Sequence, residues 1–173
     1  MFLIRMRSSI KYLFGIALIL PLLAGCLTQA PEKPDAPPDD IALAEATLRE
    51  FFQALHEGEY EKAVELYGGS YETLNYFNPD LDPADHKTLW KRVCTVNGYL
   101  CLLMGEVLAV ERTDESTFTL TVQFLTNEGE VFILGPCCGA DETTMPPISE
   151  FPIRISLDDQ GEFKVLDLPP YVP

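Results

Sequence analysis

The sequence predicts an α+β domain in which N-terminal helices pack on a curved antiparallel sheet. Apolar residues recur at helical spacing from Ile41 to Val93, and from about Met104 they alternate with polar residues, as in half-buried strands. The turn sequences between the strand segments span only a few residues. Such turns are too short for crossover helices, so neighbouring strands must run antiparallel. Helices followed by strands are typical of the α+β class.

The predicted domain follows a segment that has the form of a secretion signal. Arg5, Arg7 and Lys11 give residues 1–25 a positive start, and an apolar run of 13 residues follows from Tyr12 to Ala24. A spanning helix needs about 20 apolar residues, so this run is too short for a permanent transmembrane helix. We therefore expect residues 1–25 to be a signal peptide.

The signal ends in a motif that identifies a lipid anchor. The residues Leu23-Ala24-Gly25-Cys26 resemble the bacterial lipobox, in which the cysteine sulfur receives a diacylglyceryl group before cleavage. Two acyl chains give stable anchoring, whereas one gives only marginal binding. The resemblance implies that Cys26 is lipidated and that the protein is a membrane-anchored lipoprotein on the extracytoplasmic side of a bacterial cell envelope. The alternative is an ordinary signal peptide or anchor with an incidental cysteine.

Residues 26–40 are predicted to be the lipidated cysteine and a flexible tether. The stretch from Leu27 to Asp40 has four prolines and no apolar periodicity. Extended proline-rich chain rises about 3 Å per residue, so the tether reaches about 40 Å. Residues 41–173 then form a single α+β domain.

The charge of the chain excludes one broad class of partner. The 12 basic and 27 acidic residues give a net charge of −15. Three basic residues and no acidic residue precede Cys26, so the part from Cys26 onward has 9 basic and 27 acidic residues and a net charge of −18. So acidic a domain is not expected to bind nucleic acid or anionic lipid headgroups.

Three helices are predicted before the sheet. The first is capped by Asp39 or Asp40 and stops at Gly58, and the second lies in EYEKAVELY before Gly68. The third lies in DPADHKTLWKRVC, with Asp82 as its cap and Pro83 at its first position. The apolar face of the first helix consists of Ile41, Ala44, Leu48, Phe51, Phe52 and Leu55.

The strands carry the alternating pattern. Apolar residues lie on one side of the segments TFTLTVQF and FPIRISL. The predicted strands cover residues 104–112, 117–126 and 130–135 and the later segments. We expect an antiparallel meander with one buried face.

These segments together resemble a known superfamily. About residues 41–168 resemble the nuclear-transport-factor-two-like proteins. The resemblance rests on the segment LREFFQALHEGEYEKAVELY, a further helix, and a meander ending in GEFKVLDLP. The resemblance implies a cone-shaped sheet wrapped around a helix, with a pocket at its open end. Enzymes of that superfamily carry paired acids, a tyrosine, or an acid and a histidine there, and no such motif maps onto this chain residue by residue.

Five aromatic side chains are candidates for contact with an apolar ligand in such a pocket. They would line a pocket between the helices and the sheet: Tyr67, Tyr71, Tyr76, Phe77 and Trp90. Ordinary core packing is the alternative reading. The two histidines, His56 and His86, are interpreted as structural. Oxygen ligands cluster in NPDLDPAD, but without the spacing of a calcium loop, so neither a metal nor a cofactor is expected.

Four cysteines follow the anchor: Cys94, Cys101, Cys137 and Cys138. An exported domain with an even number of cysteines suggests two disulfides, with three connectivities possible. A local Cys94–Cys101 bridge is the easier one, since Cys101 and Cys137 lie near opposite ends of long strands. Cys137 and Cys138 would then form a vicinal disulfide, but a curved sheet and the long loop after Pro136 also permit cross-links between the pairs.

Three functions are compatible with these features. The favoured one is a lipid-anchored extracytoplasmic binding or accessory module for an envelope protein or a small apolar ligand. The second is a small pocket enzyme, isomerase- or cyclase-like, that uses a buried carboxylate. The third is a thiol-redox component that uses the Cys137–Cys138 pair.

Overall fold

The structure is a computed structural model that describes residues 38–172. The predicted signal peptide, Cys26 and most of the tether lie outside the described residues. The helices are α1 (Pro38–Glu57), α2 (Tyr60–Leu66), α3 (Glu72–Phe77) and α4 (His86–Thr95). The strands are β1 (Leu103–Arg112), β2 (Thr117–Leu125), β3 (Phe151–Leu157) and β4 (Phe163–Val165). They form one antiparallel sheet in the order β1-β2-β3-β4, which confirms the predicted α+β class.

Helix α1 begins earlier than the sequence predicted. It starts at Pro38, so the last three residues of the predicted tether belong to the helix. Proline has a fixed φ that suits the first helical turn and lacks an N–H that would have no partner there. Asp39 and Asp40 therefore lie in the first turn of the helix and do not precede it. Their negative charge interacts favourably with the helix dipole there.

The helix before the sheet begins later than predicted. The cap of α4 is Asp85, whose carboxylate accepts a hydrogen bond from the Thr88 backbone N–H at 3.1 Å. The predicted cap, Asp82, instead accepts from the Ala84 N–H at 2.9 Å within the preceding turn. Helix α3 was not predicted, because its six residues bury only Leu74 and so show no apolar stripe.

Strand β2 lies inside the sheet and shows the predicted alternation. Phe118, Leu120, Val122 and Phe124 are buried, and the residues between them are half-buried. The pairing of β1 with β2 is irregular on both sides of Val107, and such bulges curve a sheet.

The predicted strand at residues 130–135 does not form, and these residues belong instead to a long loop between β2 and β3. Only single bridges form there, between Leu125 and Val131 and between Leu134 and Ile148. Prolines at 136, 146 and 147 remove backbone donors and prevent a longer ladder.

The interior of the domain is filled by side chains. Leu48, Phe51, Phe52 and Leu55 of α1 are buried in one core cluster with the apolar face of the sheet, and α4 adds the buried Trp90. Among the described residues, the only buried polar side chain is that of Asn78. None of the helices in this part of the chain is long and apolar enough to span a membrane.

Candidate interaction surface

The five aromatic candidates divide between two clusters. The inner aromatic cluster contains Tyr67, Tyr71, His86 and Trp90. The outer aromatic patch contains Tyr76, Phe77, Tyr99 and Tyr171. No ring contact among the described residues joins one cluster to the other. The structure thus brings three of the candidates together and places Tyr76 and Phe77 elsewhere.

The inner aromatic cluster is packed around α4. His86 and Trp90 are four residues apart, so they share one face of the helix. The Tyr71 ring stacks on the His86 ring with centroids 3.7 Å apart and planes 6° from parallel. The Trp90 Nε1–H donates to Tyr71 Oη at 3.2 Å, and Tyr67 stands edge-on to both Tyr71 and Trp90.

The two tyrosine hydroxyls of this cluster are engaged in structural hydrogen bonds. Tyr67 Oη donates to the Ser70 carbonyl at 3.1 Å, and Tyr71 Oη accepts from the indole of Trp90. Burial raises the pKa of Tyr67 far above its usual value, and the neighbouring Tyr71 and Asp167 raise it further. Burial also raises the pKa of Tyr71, and the hydrogen bond from Trp90 lowers it by a smaller amount. Both phenols are therefore neutral at physiological pH, and their rings pack in the interior of the cluster.

The outer aromatic patch is exposed to solvent. Tyr76 is 80% exposed, Phe77 is 41% exposed and Tyr171 is 38% exposed. Phe77 stacks on Tyr171 with ring centroids 6.1 Å apart, and Tyr99 contacts Tyr171 at 5.0 Å. Tyr99 is itself buried, and burial, with a contribution from Tyr171, raises its pKa. Tyr99 thus supports a patch whose surface consists of the other three rings.

A docked C-terminal segment builds half of this patch. The Leu100 N–H donates to the Pro170 carbonyl at 2.7 Å, and the Val172 N–H donates to the Gly98 carbonyl at 2.9 Å. Gly98 has a φ of +83°, and a Cβ placed on it would lie 2.4 Å from the Val172 carbonyl oxygen. Only glycine therefore permits this close approach.

Two further features hold the turn that carries Tyr99. A disulfide joins Cys94 to Cys101, with Cα atoms 5.4 Å apart, as the local pairing predicted. Asn78 is 1% exposed, and its Nδ2 donates to the Leu74 carbonyl at 2.7 Å and to Asn97 Oδ1 at 3.0 Å. The end of α3, which carries Phe77, is thereby tied to the turn.

Two open clefts lie away from both aromatic groups. One has a volume of about 350 Å³ between α1, α2 and the β3–β4 turn, and the other has a volume of about 290 Å³ beside α1 and α2. Lys62, which lines both clefts, pairs with Glu50 at 3.0 Å, and Lys164 in the larger cleft pairs with Glu162 at 2.8 Å. Both lysines are thus engaged in ion pairs, and neither cleft includes any of the five aromatic candidates.

The acids of NPDLDPAD act in separate contacts. Asp80 pairs with Arg92 at 2.8 Å, while Asp82 and Asp85 accept the backbone hydrogen bonds described above. The Thr88 hydrogen bonds lower the pKa of Asp85, as expected for a capping carboxylate. From residue 38 to residue 172, the structure contains no group of three or more potential metal ligands.

Of the two disulfides that the even cysteine count suggests, the structure forms only Cys94–Cys101 among the described residues, and the adjacent Cys137 and Cys138 thiols are free. Their sulfurs are 2.8 Å apart on the long loop between β2 and β3. The sequence-based candidates thus include three aromatic residues of the inner cluster, two of the outer patch and this thiol pair.

Tyr99 and Tyr171 are patch residues that sequence reasoning missed. Tyr99 lies inside the loop closed by the disulfide, and Tyr171 lies in the extended segment PPYVP. The prolines in PPYVP favour extended backbone, and they are the one sequence signal that could have indicated this segment.

Comparisons with known proteins do not identify a family for this chain. No family model matches the chain, and no curated protein matches it. One solved structure with similarity is an NTF2-like family protein from Streptomyces avermitilis with a proposed dehydratase activity. It is 15% identical, has a TM-score of 0.39, and the match covers 75% of this chain and 93% of that one.

Proposed function

We propose that this chain is a lipid-anchored extracytoplasmic binding module that holds an envelope protein through the outer aromatic patch. The observation that carries the proposal is the combination of a filled interior with a cluster of exposed rings. A solvent-exposed apolar patch on the surface of a small domain is typical of a protein–protein contact site. Tyrosines are also enriched among the residues that contribute most binding energy at such contacts.

The filled core favours a protein partner over a small apolar ligand. The apolar side chains of the sheet are buried against α1, and the two clefts are open and lined by several charged side chains. Ligand sites are ordinarily lined mostly by apolar side chains, and neither cleft has such a lining. No carboxylate is buried among the described residues, so the isomerase- or cyclase-like alternative has no candidate acid in the core.

The anchor and the charge complete the proposal. The lipobox-like residues ending at Cys26 supply the membrane attachment, and the Cys94–Cys101 disulfide suits an oxidising compartment. A net charge of −18 from Cys26 onward repels anionic lipid and leaves the patch free on its tether. We expect the partner to present a basic surface beside the patch, so that salt weakens the complex.

Site-specific photo-crosslinking in intact cells tests the patch. A photoreactive phenylalanine analogue at position 76 should form one discrete adduct with an envelope protein. The same analogue at Leu43 is the matched control, because Leu43 is 58% exposed but lies on α1. With the purified partner, Tyr76→Ala should weaken binding by about tenfold or more, and Leu43→Ala should leave it nearly unchanged.

The opposite results would overturn the patch as the binding surface. Equal crosslinking from both positions would do so. So would a small apolar molecule retained by the domain in native mass spectrometry, with a yield that Tyr76→Ala does not change.

The anchor requires a separate test. Metabolic labelling with palmitate should tag the wild-type chain and not Cys26→Ala, and the variant should leave the membrane fraction. An untagged wild type would remove the anchor from the proposal while leaving the patch to be judged by crosslinking.

A further inference from the structure

The adjacent thiols of Cys137 and Cys138 are held in a geometry that sequence neighbours do not normally have. In extended chain, successive side chains point to opposite sides. Here the two sulfurs lie 2.8 Å apart, so closure to a disulfide of about 2.05 Å requires a shift of less than about 1 Å. Cys138 is exposed and Cys137 is half-buried.

A special turn produces this approach. The Ala140 N–H donates to the Cys137 carbonyl at 2.9 Å, and the two central residues, Cys138 and Gly139, have φ values of 60° and 87°. Positive φ at both central positions is the pattern of a type I′ turn, which prefers Asn-Gly. Cysteine is a costly residue at the first of these positions, and such an outlier points to a role for the side chain.

The turn is anchored on one side and open on the other. Leu134 and Ile148 exchange two backbone hydrogen bonds of 2.8 and 3.0 Å at the base of the loop. Asp141 Oδ1 accepts from the backbone N–H groups of Thr143 and Thr144, each at 3.0 Å, and orders the following residues. Cys138 is exposed, and a Cβ placed on the neighbouring Gly139 would have no atom within 4 Å, so a second molecule can approach this side of the turn.

No other cysteine among the described residues competes for these thiols. Cys94 and Cys101 are bonded to each other. We propose that Cys137 and Cys138 form a reversible dithiol–disulfide site that exchanges with a disulfide of the extracytoplasmic space, either a small-molecule disulfide or that of an oxidoreductase. The site is separate from the outer aromatic patch and does not depend on it.

The exchange has two balanced steps. The exposed Cys138 thiolate attacks one sulfur of the partner disulfide, forms a mixed disulfide and releases one partner thiolate. Cys137 then loses its proton to solvent and attacks Cys138 Sγ, which forms the vicinal disulfide and releases the second partner thiolate. The two cysteines lose two electrons in total, and the partner disulfide gains them. The Cys138 hydrogen bond, with burial, raises the pKa of Cys137 and so keeps this thiol protonated, which leaves the first attack to Cys138.

Trypsin separates the two cysteine pairs, so one measurement reports on both. Cleavage at Arg92, Arg112 and Arg154 gives one peptide with Cys94 and Cys101 and another with Cys137 and Cys138. The full chain is equilibrated with buffers of reduced and oxidised glutathione, alkylated and digested. The second peptide should change reversibly between a form with two alkylated thiols and an unalkylated form two hydrogens lighter than the free dithiol peptide, while the first stays oxidised throughout.

Single substitutions test the assigned roles. Cys137→Ser should accumulate a stable glutathione adduct on Cys138, because the resolving thiol is gone. Cys138→Ser should form its adduct several-fold more slowly. The proposal is overturned if the second peptide keeps both thiols at every ratio, if oxidation links it to the first peptide or to a second copy, or if both variants react equally fast.

Discussion

The buried indole of Trp90 donates its N–H to the hydroxyl of Tyr71 across 3.2 Å. Tyr71→Phe removes that acceptor and keeps the ring that stacks on His86. A buried donor left without a partner costs about 1–3 kcal/mol, so we expect the free energy of unfolding in urea to fall by that amount. Tyr76→Phe is the matched control, because it deletes an exposed hydroxyl and should change stability by less than about 0.5 kcal/mol. Equal losses in the two variants would contradict the role assigned to this hydrogen bond.

The raised pKa values of Tyr67 and Tyr71 predict a loss of stability in alkali. An unfolded tyrosine releases its proton near pH 10, whereas these buried phenols keep theirs to higher pH. The unfolded state then binds fewer protons than the folded state, so stability is fully present below about pH 10 and falls as the pH rises above it.

Urea unfolding at a series of pH values measures this dependence. Tyr67→Phe should have a shallower fall above about pH 10 than wild type, since it lacks one of the shifted groups. The comparison of slopes removes contributions shared by both chains, such as those of lysines. Parallel curves for the two proteins would show that Tyr67 titrates as freely in the folded state as in the unfolded one.

The Cys94–Cys101 disulfide should stabilise the domain moderately. The cysteines are seven residues apart, and closing so short a loop in the unfolded chain is worth about 2–3 kcal/mol. The double variant Cys94→Ala/Cys101→Ala should therefore lower the free energy of unfolding by that amount. Because the bridge holds the turn that carries Tyr99, the near-ultraviolet circular dichroism of the tyrosines should change as well. An unchanged unfolding midpoint would show that the bridge adds nothing to folding.

Gly98→Ala should release the C-terminal segment. The substitution combines an unfavourable positive φ with a clash against the Val172 carbonyl oxygen. Gly129→Ala is the control, because Gly129 has a similar φ of +81° but open space around it. We expect the control to lose about 1–2 kcal/mol and Gly98→Ala to lose more. Protease digestion should also shorten the chain near Tyr171 in Gly98→Ala alone, and equal digestion of both variants would argue against the docking.

Local patterns predicted much of the fold. The buried residues of α1 recur at helical spacing, and those of β2 occupy alternate positions. The period of the apolar residues therefore identifies each element and its buried side. The position of the α4 cap was harder, because Asp82 and Asp85 offer the same chemistry on either side of Pro83. The contact that each carboxylate makes depends on backbone geometry that composition does not specify.

The outer aromatic patch could be predicted only in part. Tyr76 and Phe77 were candidates for the lining of a pocket, yet their neighbours Tyr99 and Tyr171 come from segments far apart in sequence. The pairing of residues 98–100 with 170–172 is too short to show a periodic pattern. It depends on Gly98, whose role becomes visible only when the opposing backbone is present.

The docking of the last residues also limits where a reporter or affinity handle can be placed. A peptide inserted directly after Val172 would lie beside Tyr171 and would shield the rings whose binding is to be measured. A tag placed before residues 1–25 would be lost with them if they are cleaved as predicted. The exposed turn between β1 and β2, around Asp114 and Glu115, is therefore the better site for an inserted epitope.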